Sequence, residues 1–296
     1  VEAGNWAGVL AALANDPLTN AARRLYAVRA LAETGRLPTE LFTFFHTVGP
    51  ELLATRPLRA QRAMAHAADT VLELGHLNLA ERWAFDSLEM EGETPAVLRL
   101  LVRIHLLKDL PRAAAVFANR LALAGGTNAP GGAAWLAAEA PAVERLRANL
   151  VTADEVGVPV TTETVLRRAW EANPRNRVAF EFLMAHYLLT RQLPAAMEVL
   201  AAQWQGSDQA LPRHYAEAVV LFRHLQGGAG LARAGLAERV PPAVEARFRA
   251  FAEQMQQAGP EAHARLRRIA RDFADTYWFY HYFGHLPVAG SASHYD

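Results

Sequence analysis

Histidine and the carboxylates are the residues of this chain whose types and spacing could do chemistry. The sequence has 11 histidines and no cysteine. His281 and His285 are four apart, so on one continuous helix their imidazoles would share a face and could ligate a metal. Gly284 between them and Pro287 beyond mark a helix end, and neither His294 nor Asp275 stands at a ligand spacing, so no metal is expected. Glu89, Glu91 and Glu93 cluster where Gly92 and Pro95 break the chain, which reads as a solvated loop. Glu181, set between large apolar residues in F-E-F-L-M-A-H-Y, could serve as an acid or base, or pair with Arg177 at i−4 or face His186.

Other chemistries lack their residues. Without cysteine there are no disulfides, thiolate nucleophiles or Cys-based zinc sites. Serine occurs only at Ser87, Ser207, Ser291 and Ser293, none within a nucleophile elbow. No phosphate-binding G-x-x-x-x-G-K and no H-E-x-x-H is present, and no cofactor is expected. Thirty basic residues balance 30 acidic ones, which argues against nucleic acid as a partner. The basic residues are arginine except for Lys108.

The elements that must position these residues are helical. Apolar residues recur at i, i+3, i+4 and i+7, as in Phe180, Leu183, Met184 and Tyr187, while alternating stretches are nearly absent. The best strand candidate, 156–160, is demoted to a loop by Gly157 and Pro159. A short phrase recurs at helix-to-helix junctions: G-R-L-P-T-E-L-F at 35–42, G-H-L-N-L-A-E-R at 75–82, K-D-L-P-R-A-A-A at 108–115 and R-Q-L-P-A-A-M-E at 191–198. Aligned on Leu37, Leu77, Leu110 and Leu193, the copies are 40, 33 and 83 residues apart. The expected fold is all-α: a tetratricopeptide-like helix-pair solenoid, a right-handed superhelical array with a terminal helical cap.

The expected organisation is helix-pair repeats over 1–124, a Gly-rich loop at 125–132 and central repeats over 133–226. A break at 227–242, cap helices over 243–286 and a flexible tail at 287–296 follow. The run Y-W-F-Y-H-Y-F at 277–283 is either the last core helix, packed on Phe248, Phe251 and Phe273, or an exposed patch that docks a partner. No run of apolar residues is long enough to span a bilayer. The chain begins at Val1, which reads as a processed or excised part of something longer.

Three segments carry a resemblance: N-P-R-N-R-V-A-F-E-F-L-M-A-H-Y-L-L at 173–189, L-P-R-H-Y-A-E-A at 211–218 and D-T-Y-W-F-Y-H-Y-F at 275–283. Together they resemble the C-terminal soluble region of domain-of-unknown-function family 6057 from Bacteroidota. The resemblance implies a soluble helical region following a multi-pass membrane domain, in a membrane-associated bacterial protein, and it brings no activity. The periplasmic side is favoured over the cytoplasmic.

The expected role is a protein-interaction scaffold that holds a protein or peptide partner on the face built by the first helix of each pair. Arg177, Glu181, His186, Tyr187, Arg213, His214 and Tyr215 are the candidate contacts, with Trp278 and Tyr280 in the aromatic run. A catalytic or accessory helical toroid acting on a glycan or lipid-linked substrate is the alternative, needing a carboxylate partner for Glu181. A structural subunit of a larger assembly is the third reading.

Overall fold

Leucine, alanine, arginine and glutamate dominate the sequence between its Gly and Pro punctuation, and these are strong helix formers. The computed structural model describes residues 5–13, 21–44, 53, 64–124, 130–152, 161–227, 235–256 and 262–284. Among the described residues there are fifteen α-helices, a short 3₁₀ turn at Ala237–Arg239 and no strand. The fold class is all-α. The stretch at 156–160, the tail at 287–296, His285 and His294 lie outside the described residues, as do most of the loop at 125–132 and part of the break at 227–242.

The chain forms two compact units. Unit 1 takes residues 1–30 and 51–183, and unit 2 takes 31–50 and 184–296. In unit 1 lie α1 (Trp6–Leu13), most of α2 (Ala21–Glu33), α4 (Met64–Glu73), α5 (Leu77–Glu91), α6 (Pro95–Leu107), α7 (Pro111–Ala124), α8 (Gly132–Arg147), α9 (Thr162–Ala172) and the first half of α10 (Arg177–Leu189). Unit 2 holds the rest of α2 and α10, with α3 (Leu37–Phe44), α11 (Leu193–Gln203), α12 (Arg213–Gln226), α13 (Pro242–Gln256), α14 (Ala262–Phe273) and α15 (Tyr277–Phe283).

In unit 1 the core follows from periodicity. Val97, Leu100, Leu101, Ile104 and Leu107 line one side of α6 and pack with Ala67, Ala68, Val71 and Leu72 of α4 and Ala80, Trp83 and Ala84 of α5. The alanines let the backbones approach, while Val143 and Leu146 of α8 close the cluster. Each large aliphatic buried here contributes about 1.5–3 kcal/mol, so Leu101→Ala costs about 2–5 kcal/mol. Helix α6 starts cleanly because the Thr94 hydroxyl accepts the Val97 N–H and Pro95 occupies the first helical position.

Unit 2 is organised around α12, whose residues from His214 to Leu221 are all buried. Helices α3, α11, α13 and α15 pack on it. The aromatic run is core: Trp278 meets Phe248 edge-on at 5.3 Å and lies 6.1 Å from Phe251, which contacts Phe273 at 5.4 Å.

The repeated junction is one hydrogen-bonded hinge used four times. Gly35, Gly75, Asp109 and Arg191 all have positive φ. The N–H of each bonds the carbonyl three residues back, at Ala32, Leu72, Leu106 and Leu188. The next N–H, from Arg36, His76, Leu110 and Gln192, bonds the carbonyl five residues back, which is the Schellman pattern. Those same four residues supply the first carbonyl of the following helix, to Glu40, Ala80, Ala114 and Ala196.

This hinge corrects the register of one copy. Leu110 is equivalent to Arg36, His76 and Gln192, not to Leu37, Leu77 and Leu193. It is 49% exposed where Leu37 and Leu193 are 1% and 3% exposed. The left-handed residue there is Asp109, one position later than the sequence phrase places it, so the hinges are 40, 34 and 82 residues apart.

Candidate functional site

A concave site lies in unit 1, on α2, α4 and α6. Tyr26 comes from α2, Ala65, His66 and Asp69 from α4, and Ala96, Arg99, Leu100 and Arg103 from α6. On α6 these residues are spaced i, i+3, i+4, i+7, which places them along one face. Together they line an open cleft of about 120 Å³. Ala65 and Ala96 are small, which leaves the space between the polar groups unfilled.

Beneath the cleft runs a chain of ion pairs. Glu139 of α8 is 2% exposed and receives Arg99 Nε at 2.9 Å on Oε1 and Arg103 Nε on Oε2. Arg103 Nη1 also lies 3.4 Å from Asp69, and Arg29, itself 1% exposed, approaches Asp69 at 4.0 Å and Glu73 at 3.4 Å. Arg145 of α8 grips Glu73 with both terminal nitrogens. Burial pushes the Glu73 carboxyl up, but Arg145, Arg29 and Arg103 outweigh it and hold the group below the usual range. Arg29, Arg99, Arg103 and Arg145 thus meet the carboxylates of Asp69, Glu73 and Glu139. The Arg99 guanidinium lies over Trp135, 5.4 Å from its ring centre.

His66 is the unusual member. It is 8% exposed, its ring packs 4.4 Å from Tyr26, and its Nε2 has no hydrogen-bond partner. The ring bonds the Leu25 carbonyl, which by elimination uses Nδ1–H and leaves Nε2 as an open acceptor. Burial, helped by Arg29, pushes the imidazole down to about 3, against the Leu25 bond. The Tyr26 hydroxyl is pushed up by burial and by the Asp69 and Glu91 carboxylates. A neutral acceptor, a protonated phenol and paired arginines suit binding better than proton transfer near pH 7.

The residues expected from sequence lie elsewhere. Arg177 pairs with Glu181 at 2.8 Å, and Glu181 is 4% exposed. His186 and Tyr187 are buried, their rings 5.8 Å apart. Tyr215 packs edge-on against Trp204 at 6.1 Å.

His214, Trp278 and Tyr280 lie in the interior of unit 2, and Arg213 of the same unit is partly exposed. Glu217, a residue the sequence reading missed, organises the α12–α15 contact. Its Oε1 takes Arg213 Nε at 2.9 Å, and its Oε2 takes His214 Nδ1 at 2.9 Å and the Tyr277 N–H at 2.8 Å. His214 Nε2 accepts the Phe42 N–H at 3.5 Å. Arg213 and Arg247 both hold Asp275, at 2.8 and 2.7 Å. Burial pushes the Asp275 carboxyl up, and the two arginines more than reverse this. The Tyr280 hydroxyl donates to the Leu189 carbonyl at 3.0 Å. Apart from Arg177 and Arg213, these side chains are turned inward and offer little surface to a partner.

Among the described residues no group of three or more His, Asp or Glu is placed to hold a metal, and no helix is long and apolar enough to cross a membrane. In comparison with known proteins, the model of a family of unknown function, DUF6057, matches residues 1–284. Nothing among curated proteins or solved structures matches the chain.

Proposed function

Because the chain belongs to DUF6057, a family of unknown function, its role has to be read from its own geometry, and we propose that it is a helical-repeat scaffold that captures a segment of a partner protein. The observation that carries this reading is the cleft itself. Its walls come from α2, α4 and α6, all three of which are the first helices of pairs joined by the same Schellman hinge, at Gly35, Gly75 and Asp109. The 34 residues between the last two hinges match the tetratricopeptide period, which supports a solenoid in which successive first helices form the binding face. The site therefore belongs on α2, α4 and α6 rather than at Arg177–Tyr187 or Arg213–Tyr215. Membrane association, with this region on the periplasmic side of a bacterial membrane, is the part of the proposal that rests on the family resemblance.

Ala96 is exposed and lines the cleft, so Ala96→Trp fills the site at a position that folding does not use. Partner capture by the full-length protein in its own cells, read by co-purification, is expected to disappear in Ala96→Trp while the melting temperature stays unchanged. An Ala96→Trp protein that retains the same partners overturns the assignment.

A further inference from the structure

We propose that the outer face of α5 and α7 is a self-complementary surface on which a second copy of this chain docks about a two-fold axis. The inference is independent of what the cleft binds and adds how many clefts one particle carries.

Exposure marks the face. Among the described residues six large hydrophobic side chains are exposed, and five of them, Phe85, Met90, Leu110, Val116 and Leu123, lie on α5, on α7 or at the hinge before α7. Val116 and Leu123 are 57% and 73% exposed. The two helices run side by side in the same direction: Glu81 pairs with Lys108 near their starts, and Glu93 pairs with Arg120 further along. Phe85 meets Phe117 edge-on at 6.3 Å, so the midpoints of the two helices stand level.

Charge selects a second copy. Arg82 and Glu89 are seven apart on α5, on one face and on either side of Phe85. Both are exposed, and among the described residues neither has a partner. An antiparallel copy of α5, centred between Phe85 and Asp86, sets Arg82 opposite Glu89 of the second copy, and the two-fold axis makes this contact twice. Because Phe85 and Phe117 are level, the same axis passes the middle of α7. There it brings Val116 against its own counterpart and lays Leu123 over the aliphatic stem of Arg112. The charges of this face without a partner in the chain, Arg82 and Arg112 against Asp86 and Glu89, cancel, so two copies do not repel. A lipid surface would meet the same two carboxylates unpaired.

Size sets the strength. Helices of 15 and 14 residues are about 21 Å long and pack about 10 Å apart, so the face offers about 400 Å² per copy, in the weak and reversible class. Docking through second helices leaves the cleft on α2, α4 and α6 open, so a dimer carries two clefts and gains avidity for a repeated target.

Sedimentation equilibrium of the whole chain from about 5 to 500 µM tests this, with a dissociation constant of about 10–100 µM expected. Leu123→Glu, at an exposed position, is expected to weaken association about tenfold or more with an unchanged melting temperature. Arg82→Glu and Glu89→Arg are each expected to do the same, because the axis repeats each charge. The double variant Arg82→Glu with Glu89→Arg is expected to restore the association of the unaltered chain. A chain that is monomeric throughout overturns the proposal, as does a dimer that none of the three single variants weakens. A dimer weakened by the single charge variants and not restored by the double overturns the antiparallel α5 contact. A monomeric chain that co-sediments with phosphatidylcholine vesicles, and loses this in Leu123→Glu, replaces the second copy with a lipid surface.

Discussion

Gly75 sits directly against Asn149: a β-carbon at Gly75 would come within 1.8 Å of the Asn149 carbonyl oxygen. The contact closes the α4–α5 hinge onto the chain after α8, where the Val151 N–H donates to the Gly75 carbonyl at 3.0 Å. Asn176 joins the same place, its side chain donating to the Glu73 carbonyl at 3.2 Å. The hinge that recurs along the sequence is here also a tertiary joint.

Gly75→Ala therefore combines two penalties. The residue has φ +92°, which costs an L-residue about 1–2 kcal/mol. The clash is with backbone, which cannot swing away as a side chain can. Gly92 is the internal control, with φ +75° and open space around the missing β-carbon. Gly92→Ala is expected to cost about 1 kcal/mol, and Gly75→Ala at least about 3 kcal/mol, on the scale of known backbone effects. Thermal melts of the two variants compare them directly, and equal shifts would refute the close approach.

Glu139 and its two arginines give an asymmetric prediction. Arg99 and Arg103 are 22% and 21% exposed, so once Glu139 is lost they can turn to water. Glu139 is 2% exposed and has no such escape. Glu139→Gln is expected to cost about 1–3 kcal/mol. Arg99→Met with Arg103→Met strands a buried carboxylate and is expected to cost about 3–5 kcal/mol. Adding Glu139→Leu to that double variant should recover most of the loss. Urea unfolding of the set checks the order, and a triple variant no more stable than the double would sink the ion-pair account.

His66 makes stability fall as acid is added, before the carboxylates titrate. In the fold it stays neutral down to about 3, whereas in the unfolded chain it takes a proton near its ordinary 6.5. Between those values the unfolded state binds more protons, so its stabilising contribution is complete above pH 6.5 and declines below it. The slope approaches about 1.4 kcal/mol per pH unit. Tyr26 and Arg29 of α2, Asp69 of α4, and Arg99 and Arg103 of α6 are the polar groups around it. His281, lowered by burial and Arg191, adds to the same trend, while Glu73 enters only at lower pH. His66→Phe is expected to flatten part of the slope between pH 5 and 6.5. Urea midpoints measured across that interval test it, and an unchanged slope would show that His66 is already charged.

How much of this was legible in the sequence depended on distance along the chain. The stripe Val97, Leu100, Leu101 and Ile104 announced α6 because its spacing is local, whereas the aromatic run admitted both a core helix and an exposed docking patch until Trp278 is seen packed on Phe248 and Phe251. The third hinge was misplaced by one residue because K-D-L-P resembles R-Q-L-P, while the left-handed turn falls on Asp109 in one and Arg191 in the other. The cleft was not legible. Its arginines interrupt an apolar helix in L-R-L-L-V-R-I, which reads as a surface pattern until Glu139, 36 residues past Arg103, is brought beneath it. Arg213 and His214 misled for the opposite reason: their partner Glu217 lies within one helical turn, and the cluster closes on itself inside unit 2.

That closure decides what substitutions at Arg213 mean. Glu217 is 1% exposed, and its two oxygens hold Arg213, His214 and the first N–H of α15. Arg213 also bridges to both the side chain and the carbonyl of Asp275. Arg213→Glu would place a third carboxylate between Glu217 and Asp275, where Arg247 still holds Asp275. The expected cost is at least about 3–5 kcal/mol. Glu217→Gln keeps the shape and the bond to the Tyr277 N–H, and is expected to cost about 1–3 kcal/mol. Trp278, fully buried against Phe248, reports on this region in the near-ultraviolet circular dichroism. Arg213→Glu is expected to lose that signal and Glu217→Gln to keep it at a lowered melting temperature. A native near-ultraviolet spectrum in Arg213→Glu, together with loss of partner capture, would return Arg213 to the binding surface.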